Sequence, residues 1–242
     1  MFNAKTITFA GHLLDPSGRI FLDDGSTFTT SCYGAWLRVL DTGLFGTAQE
    51  IALCYRNGGA EDVAQLRWDP SDNQISLFSV GTNTPTGVFV SIGTWFFGAL
   101  SRNATNTRLF YATESIACSQ IASVSSAGGA PTQVVAGARF ADTSNLDAST
   151  FDGDMTGLLL YQGAELTSTQ WETQRTTGLN AVSTSSLYAQ WPSTTGANAG
   201  VDTFSTHSAT QSGTLQTGSN PGPSFGGGAP PARNSIFSFG GF

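Results

Sequence analysis

Charge is scarce in this chain. Lys, Arg, Asp and Glu make up 11% of its 242 residues, against roughly a quarter in an ordinary soluble domain. The basic residues never form a run, and the formal net charge is −7. Both facts argue against a nucleic-acid partner, because binding phosphates requires clustered cations that displace counterions. Cysteine and histidine are scarcer still, at three and two residues. Cys32, Cys54 and Cys118 show no C-x-x-C spacing. Cys32 and Cys54 fall in apolar runs, where a free thiol behaves as a small hydrophobe, so structural thiols are expected. His12 and His207 are far apart, and neither adjoins a serine elbow or a metal-ligand spacing. No Gly-rich phosphate loop joins a strand to a helix. The longest apolar run, VFVSIGTWFFGAL over 88–100, is broken by polar residues and too short to span a bilayer. The start, MFNAKTITFAG, has no basic stretch followed by a long apolar one. A protein made in a cytoplasm and exported by no signal peptide is therefore expected.

What the chain does have is apolar bulk in alternating order. Hydrophobic residues make up 39%, with 17 Phe and 5 Trp, enough for a large core. In DVAQLRWD, Ala64, Leu66 and Trp68 share one face, and Gln65, Arg67 and Asp69 share the other. In QISLFSV, Ile75 and Leu77 oppose Ser76 and Phe78; in CYGAWLRVL, Ala35, Leu37 and Val39 lie together. Period-two runs separated by clusters such as RNGG, DPSDN and GTNTPTG predict an antiparallel β-sandwich. VFVSIGTWFFGAL and MTGLLLY are apolar on both faces, as in strands covered on both sides. The sandwich core would cover one side, and a loop or a partner chain the other.

One helix is predicted, over 168–176. Thr167 at the N-cap and Gln170 three residues on form a capping box, and Leu166 and Trp171 occupy the positions of a hydrophobic staple. Arg175 suits the last turn and Gly178 the closing position. The helix is expected to plug a sheet edge or a barrel end, with Trp171 pinned to the sandwich.

From Ser219 the composition changes to SNPGPSFGGGAPPARNSIFSFGGF. No core can be built from it, which divides the chain into a sandwich domain, 1–218, and a Gly/Pro-rich C-terminal arm, 219–242. The arm carries Phe225, Ile236, Phe237, Phe239 and Phe242, side chains suited to pockets on a neighbouring subunit; folding back as a last strand of its own domain is the alternative. Extended, it would reach roughly 70 Å at about 3.1 Å per residue. Low charge and doubly apolar strands also predict a homo-oligomer.

TTSCYGAWLRVLD, GTWFFGALSRNATNTRLFYATES and FDGDMTGLLLYQGAELTSTQWETQ, in that order, resemble strands of concanavalin A-like lectin/glucanase domains of the laminin-G type. The resemblance covers roughly 28–178 and implies an all-β fold, a jelly-roll sandwich of two antiparallel sheets. The stretch SLYAQWPSTTG…VDTFSTHSATQSGTLQTGSNPGPSFG is similar to the C-terminal part of structural proteins of tailed bacteriophages. Together they imply a non-enzymatic virion protein, most simply a capsid decoration protein, assembled in the host cytoplasm and bound to capsid or tail subunits. The alternative is a lectin-like module that recognises host surface glycans and is carried on a tail or fibre. Glucanases of this superfamily carry E-x-D-x-E, which places a carboxylate pair on one face for nucleophilic and acid/base work. That pattern is missing here: Glu61 and Asp62 are adjacent, and Glu114 and Glu165 are isolated. Neither hydrolysis nor any cofactor is expected. Asp152 and Asp154 could offer oxygens to calcium, but without companion ligands they are read as turn caps, and no metal is expected. Trp68, Trp95, Tyr111 and Trp191 are sugar-platform candidates by residue type. Each sits in or beside a period-two strand, where core packing is the simpler role.

Overall fold

A computed structural model describes residues 6–8, 19–23, 25–40, 50–57, 62–126, 128–137, 151–177, 187–191, 210–212 and 216–218. In chain order the strands are β1 (Thr6–Thr8), β2 (Arg19–Leu22), β3 (Ser31–Val39), β4 (Glu50–Arg56), β5 (Asp62–Asp69), β6 (Gln74–Ser79), β7 (Thr82–Phe89), β8 (Trp95–Arg102), β9 (Asn106–Thr113), β10 (Ser119–Ser125), β11 (Gln133–Ala136) and β12 (Gly153–Gln162). Helix α1 (Ser168–Thr177) follows, then β13 (Leu187–Trp191), β14 (Thr210–Ser212) and β15 (Gln216–Gly218). The arm, including Phe225, Ile236, Phe237, Phe239 and Phe242, lies outside the described residues, as do His12 and His207.

The strands form two sheets. The first runs β10-β9-β8-β3-β12-β1-β15, and the second β14-β2-β11-β4-β5-β6-β7. Every described pairing is antiparallel. β12 is central to the first sheet: β3 pairs along one side, and β1 and β13 divide the other. The predicted two-sheet sandwich is therefore present, and its core is the one that alternation marked. Ala35, Leu37 and Val39 of β3 meet Ala64, Leu66 and Trp68 of β5 and Ile75 and Leu77 of β6. Polar groups inside this core are paired across the sheets, as burial demands. Ser31 Oγ donates to Tyr55 Oη at 2.9 Å, Tyr33 Oη donates to the Val135 carbonyl at 3.1 Å, and the two tyrosine rings meet edge-on at 4.8 Å.

The helix begins where the capping box places it. Gln170 N donates to Thr167 Oγ1 at 3.3 Å, and Thr167 N donates to Gln170 Oε1 at 2.9 Å. Its position corrects the sequence reading: α1 lies on the outer face of the first sheet, and plugs neither an edge nor a barrel end. There Leu166 and Trp171 join Cys32 and Trp36 of β3, Phe97 and Ala99 of β8, Phe110 and Ala112 of β9, and Leu159 and Tyr161 of β12. The doubly apolar character of β8 and β12 follows. Phe96, Leu100, Met155, Leu158 and Leu160 fill the inter-sheet core, and Phe97, Ala99, Leu159 and Tyr161 pack under the helix. The cover comes from within the chain, so these strands give no reason for oligomerisation.

Candidate functional site

With one outer face closed by α1, the outer face of the second sheet becomes the place to look. It is closed at β4 and β11, where Ile51, Cys54 and Val135 form a small buried apolar cluster. It opens to solvent toward β7, where Asn83, Pro85 and Phe89 are exposed; on β5 and β6 Gln65 and Ser76 are buried and Arg67, Gln74 and Phe78 half-buried. Register fixes which side chains share this surface, since residues directly paired across antiparallel strands lie on the same face. Gln65 pairs with Phe78 and Phe78 with Asn83; Arg67 pairs with Ser76 and Ser76 with Pro85; Gln74 pairs with Phe89. The inward partners, Ala64, Leu66, Trp68, Ile75 and Leu77, are in the core.

Two aromatic rings mark this face. Phe78 is half-buried, and the Arg67 guanidinium lies over its ring, 3.7 Å from the centroid. Arg67 Nε also donates to Gln65 Oε1 at 2.5 Å, which fixes the guanidinium in place. Phe89 is 62% exposed, the highest value among the exposed large apolar side chains of the described residues. Its neighbour Val88 packs against the core, which holds the strand down while Phe89 points out. Beside Phe89 the β5–β6 turn is rigid. Asp69 Oδ1 accepts from Ser71 N at 2.9 Å, Asp72 Oδ1 accepts from Gln74 N at 2.9 Å, and Asn73 is left-handed at φ 58°. Such Asx turns tolerate that conformation. The Asn73 carbonyl in turn accepts from Val90 N at 2.8 Å, tying the turn to the strand end that carries Phe89. β7 is the last strand of its sheet; Pro85 and the irregularity between Gln74 and Ser76 blunt that edge against further strand pairing. The surface thus joins exposed aromatic area to planar amides (Gln74, Asn83) on a stiff support. That combination can stack against the apolar face of a sugar ring and hydrogen-bond its hydroxyls.

The residues singled out by type lie elsewhere. Trp68 is in the core, with Nε1 donating to the Val90 carbonyl at 3.2 Å. Trp95 packs with the residues under α1, and Tyr111 packs in the core. Only the backbone of Trp191 is described. Asp154 caps no turn: it sits within β12, buried, where Arg38 of β3 pairs with it and donates Nε to Oδ2 at 2.8 Å. Asp152 is buried as well, and its backbone N donates to Glu50 Oε2 at 2.9 Å. Among the described residues no group of three or more His, Cys, Asp or Glu is arranged to hold a metal ion. Glu165 is bound by Arg108, by Ser101 Oγ at 2.9 Å and by Asn103 Nδ2 at 2.7 Å, so it anchors the segment before α1 to β8 and β9. The three cysteines are buried and form no disulfide. Burial pushes the Cys118 thiol up to about 12, with the nearby Glu172 adding and Arg175 opposing, so it is no nucleophile at neutral pH.

Reasoning from type missed Phe78 and Phe89. The signal for Phe78 was present, since alternation had already put it opposite Ile75 and Leu77. Phe89 was hidden in a run that read as buried on both sides.

No protein-family model matches the chain, and no curated protein matches it in sequence. Solved structures do match its shape. A Bacteroides ovatus protein, provisionally given as carbohydrate-binding, superposes with TM-score 0.59 at 15% identity over 92% of this chain. This chain spans 62% of the length of that one. A heptameric SAP-like pentraxin from Limulus polyphemus superposes with TM-score 0.58 at 10% identity, covering 90% of this chain and 97% of the pentraxin. Mouse laminin α1 domains LG4-5 reach TM-score 0.46 at 11% identity, covering 69% and 44%. Trypanosoma rangeli sialidases reach at most 0.49. Overlaps this low support no functional argument. At these identities the likeness is one of fold: a jelly-roll sandwich, as the sequence resemblance implied. None of the structures named here is a virion protein.

Proposed function

We propose that the protein is a non-enzymatic carbohydrate-binding module whose ligand lies on the outer face of β5–β7. The observation that carries this reading is the pairing of a solvent-facing Phe89 with Gln74 and a turn-locked support, on the sheet face that α1 leaves open. The likeness to the Bacteroides ovatus protein supports it. Single sites of this shallow kind bind weakly, and a homo-oligomer, the state of the Limulus pentraxin, would raise avidity without any new contact. Attachment to a virion through the C-terminal arm is the competing reading. It rests on residues 219–242 and gains nothing from the described surface.

The test is a glycan array probed with the full chain. At least one glycan class should be retained, and Phe89→Ala should weaken its binding by about tenfold, the equivalent of ~1.4 kcal/mol. Because Phe89 is exposed, the melting temperature should not move. Retention of no glycan above the Phe89→Ala background would refute the module. Co-sedimentation with phage particles, lost on deleting 226–242, would favour the virion role instead.

A further inference from the structure

We infer that the β6–β7 face takes a neutral, linear oligosaccharide laid along the strands, in contact with two separate aromatic points; this rests on the carbohydrate-binding reading above. Phe89 stands opposite Gln74, and Phe78 stands four residues further along β6. At a rise of roughly 3.3 Å per residue the two rings are about 13 Å apart. A single sugar ring cannot bridge that distance, and a short chain of rings can. Between them the outward side chains are small. The midpoint pair is Ser76, which is buried, and Pro85, which is exposed and offers a flat apolar ring of its own. The profile along β6–β7 is therefore ring, saddle, ring, and it follows the strand direction.

The polar groups select the charge class. Gln74 and Asn83, beside the two rings, are neutral amides that both donate and accept. Arg67, the one cation among the described residues of β5–β7, is already engaged with the Phe78 ring and with Gln65 Oε1. At the Phe89 end stand Asp69 and Asp72, and the whole chain carries a net charge of −7. A polyanion would be repelled there, whereas an uncharged polyhydroxyl chain would not.

The experiment is titration calorimetry of the full chain with oligosaccharides of one to six units. Neutral β-glucan, α-glucan, mannan and xylan series are compared with oligogalacturonides of the same lengths. In the neutral series that binds, affinity should climb about tenfold or more from the single sugar to the length that spans both rings, then level off. Phe89→Ala and Phe78→Ala should each remove the climb while leaving the weak binding of short sugars; Phe89→Ala, at an exposed site, keeps the comparison free of folding effects. Length-independent binding, or tighter binding of the acidic series, would overturn this inference alone. Failure of every series to bind would overturn it together with the module reading.

Discussion

Gly153→Ala is expected to destabilise the protein by about 3 kcal/mol or more, through overpacking that cannot relax. Gly153 opens β12 and lies opposite Val39 of β3. A Cβ added there would stand 2.2 Å from the Arg38 carbonyl oxygen and 2.6 Å from the Phe151 ring. Neither neighbour can withdraw. The Arg38 carbonyl belongs to the backbone of β3, which is paired with β8 on its other side, and Phe151 is fully buried. Moving β3 would also pull Arg38 away from the buried Asp154 carboxylate, and breaking such a pair costs more than the pair contributes. Melting followed by circular dichroism should fall by roughly 6–12 °C for a chain of this size. Gly163→Ala is the control. Gly163 has φ 75° but nothing within 4 Å of an added Cβ, so only the backbone penalty of about 1 kcal/mol should appear. Equal melting points for the two variants would show that the Arg38 contact is not decisive.

Trp171→Ala should cost about 3–5 kcal/mol, the range for emptying a buried aromatic site. Trp171 joins α1 to the first sheet, with ring centroids 5.5 Å from Phe97 and 6.0 Å from Tyr161. The rest of the helix adds little apolar contact, although Tyr161 Oη donates to Gln174 Oε1 at 3.2 Å and Arg175 Nη1 donates to the Thr113 carbonyl at 2.8 Å. The loss should therefore be felt first beneath the helix. Cys32 and Cys118 lie in that layer, and burial raises both thiols. Once wetted, their pKa values return toward the ordinary thiol range and the thiolate fraction near pH 8 rises. A disulfide-exchange reagent should titrate no thiol in the native protein, all three after denaturation, and Cys32 and Cys118 ahead of Cys54 in the variant. Simultaneous reaction of all three would mean that the whole sandwich opens with the helix.

Much of the architecture was legible because one rule, alternation against a core, governs most of the chain. Alternation alone gives Ala64, Leu66 and Trp68 an inward face, and Thr167 with Gln170 locates the start of the helix. Where the helix would lie was not legible. A capping box fixes where a helix begins, while the surface it covers is set by partners distant in sequence, here Cys32, Phe97, Phe110 and Leu159. The same limit concealed the candidate site. Trp and Tyr are favoured platform residues by type, yet their size suits the interior, and this chain uses Trp36, Trp68 and Trp171 to fill it. The solvent-facing rings are phenylalanines, which sequence alone assigns to the core by default.

The division between a face sealed by α1 and one left open has a practical consequence for engineering. Asn83 and Phe89 are exposed on a sheet whose opposite side is already packed, so their identities are largely uncoupled from folding. A library randomised at those two positions should stay soluble in most of its members and diverge in what it captures, making this molecule a scaffold for selecting new recognition surfaces.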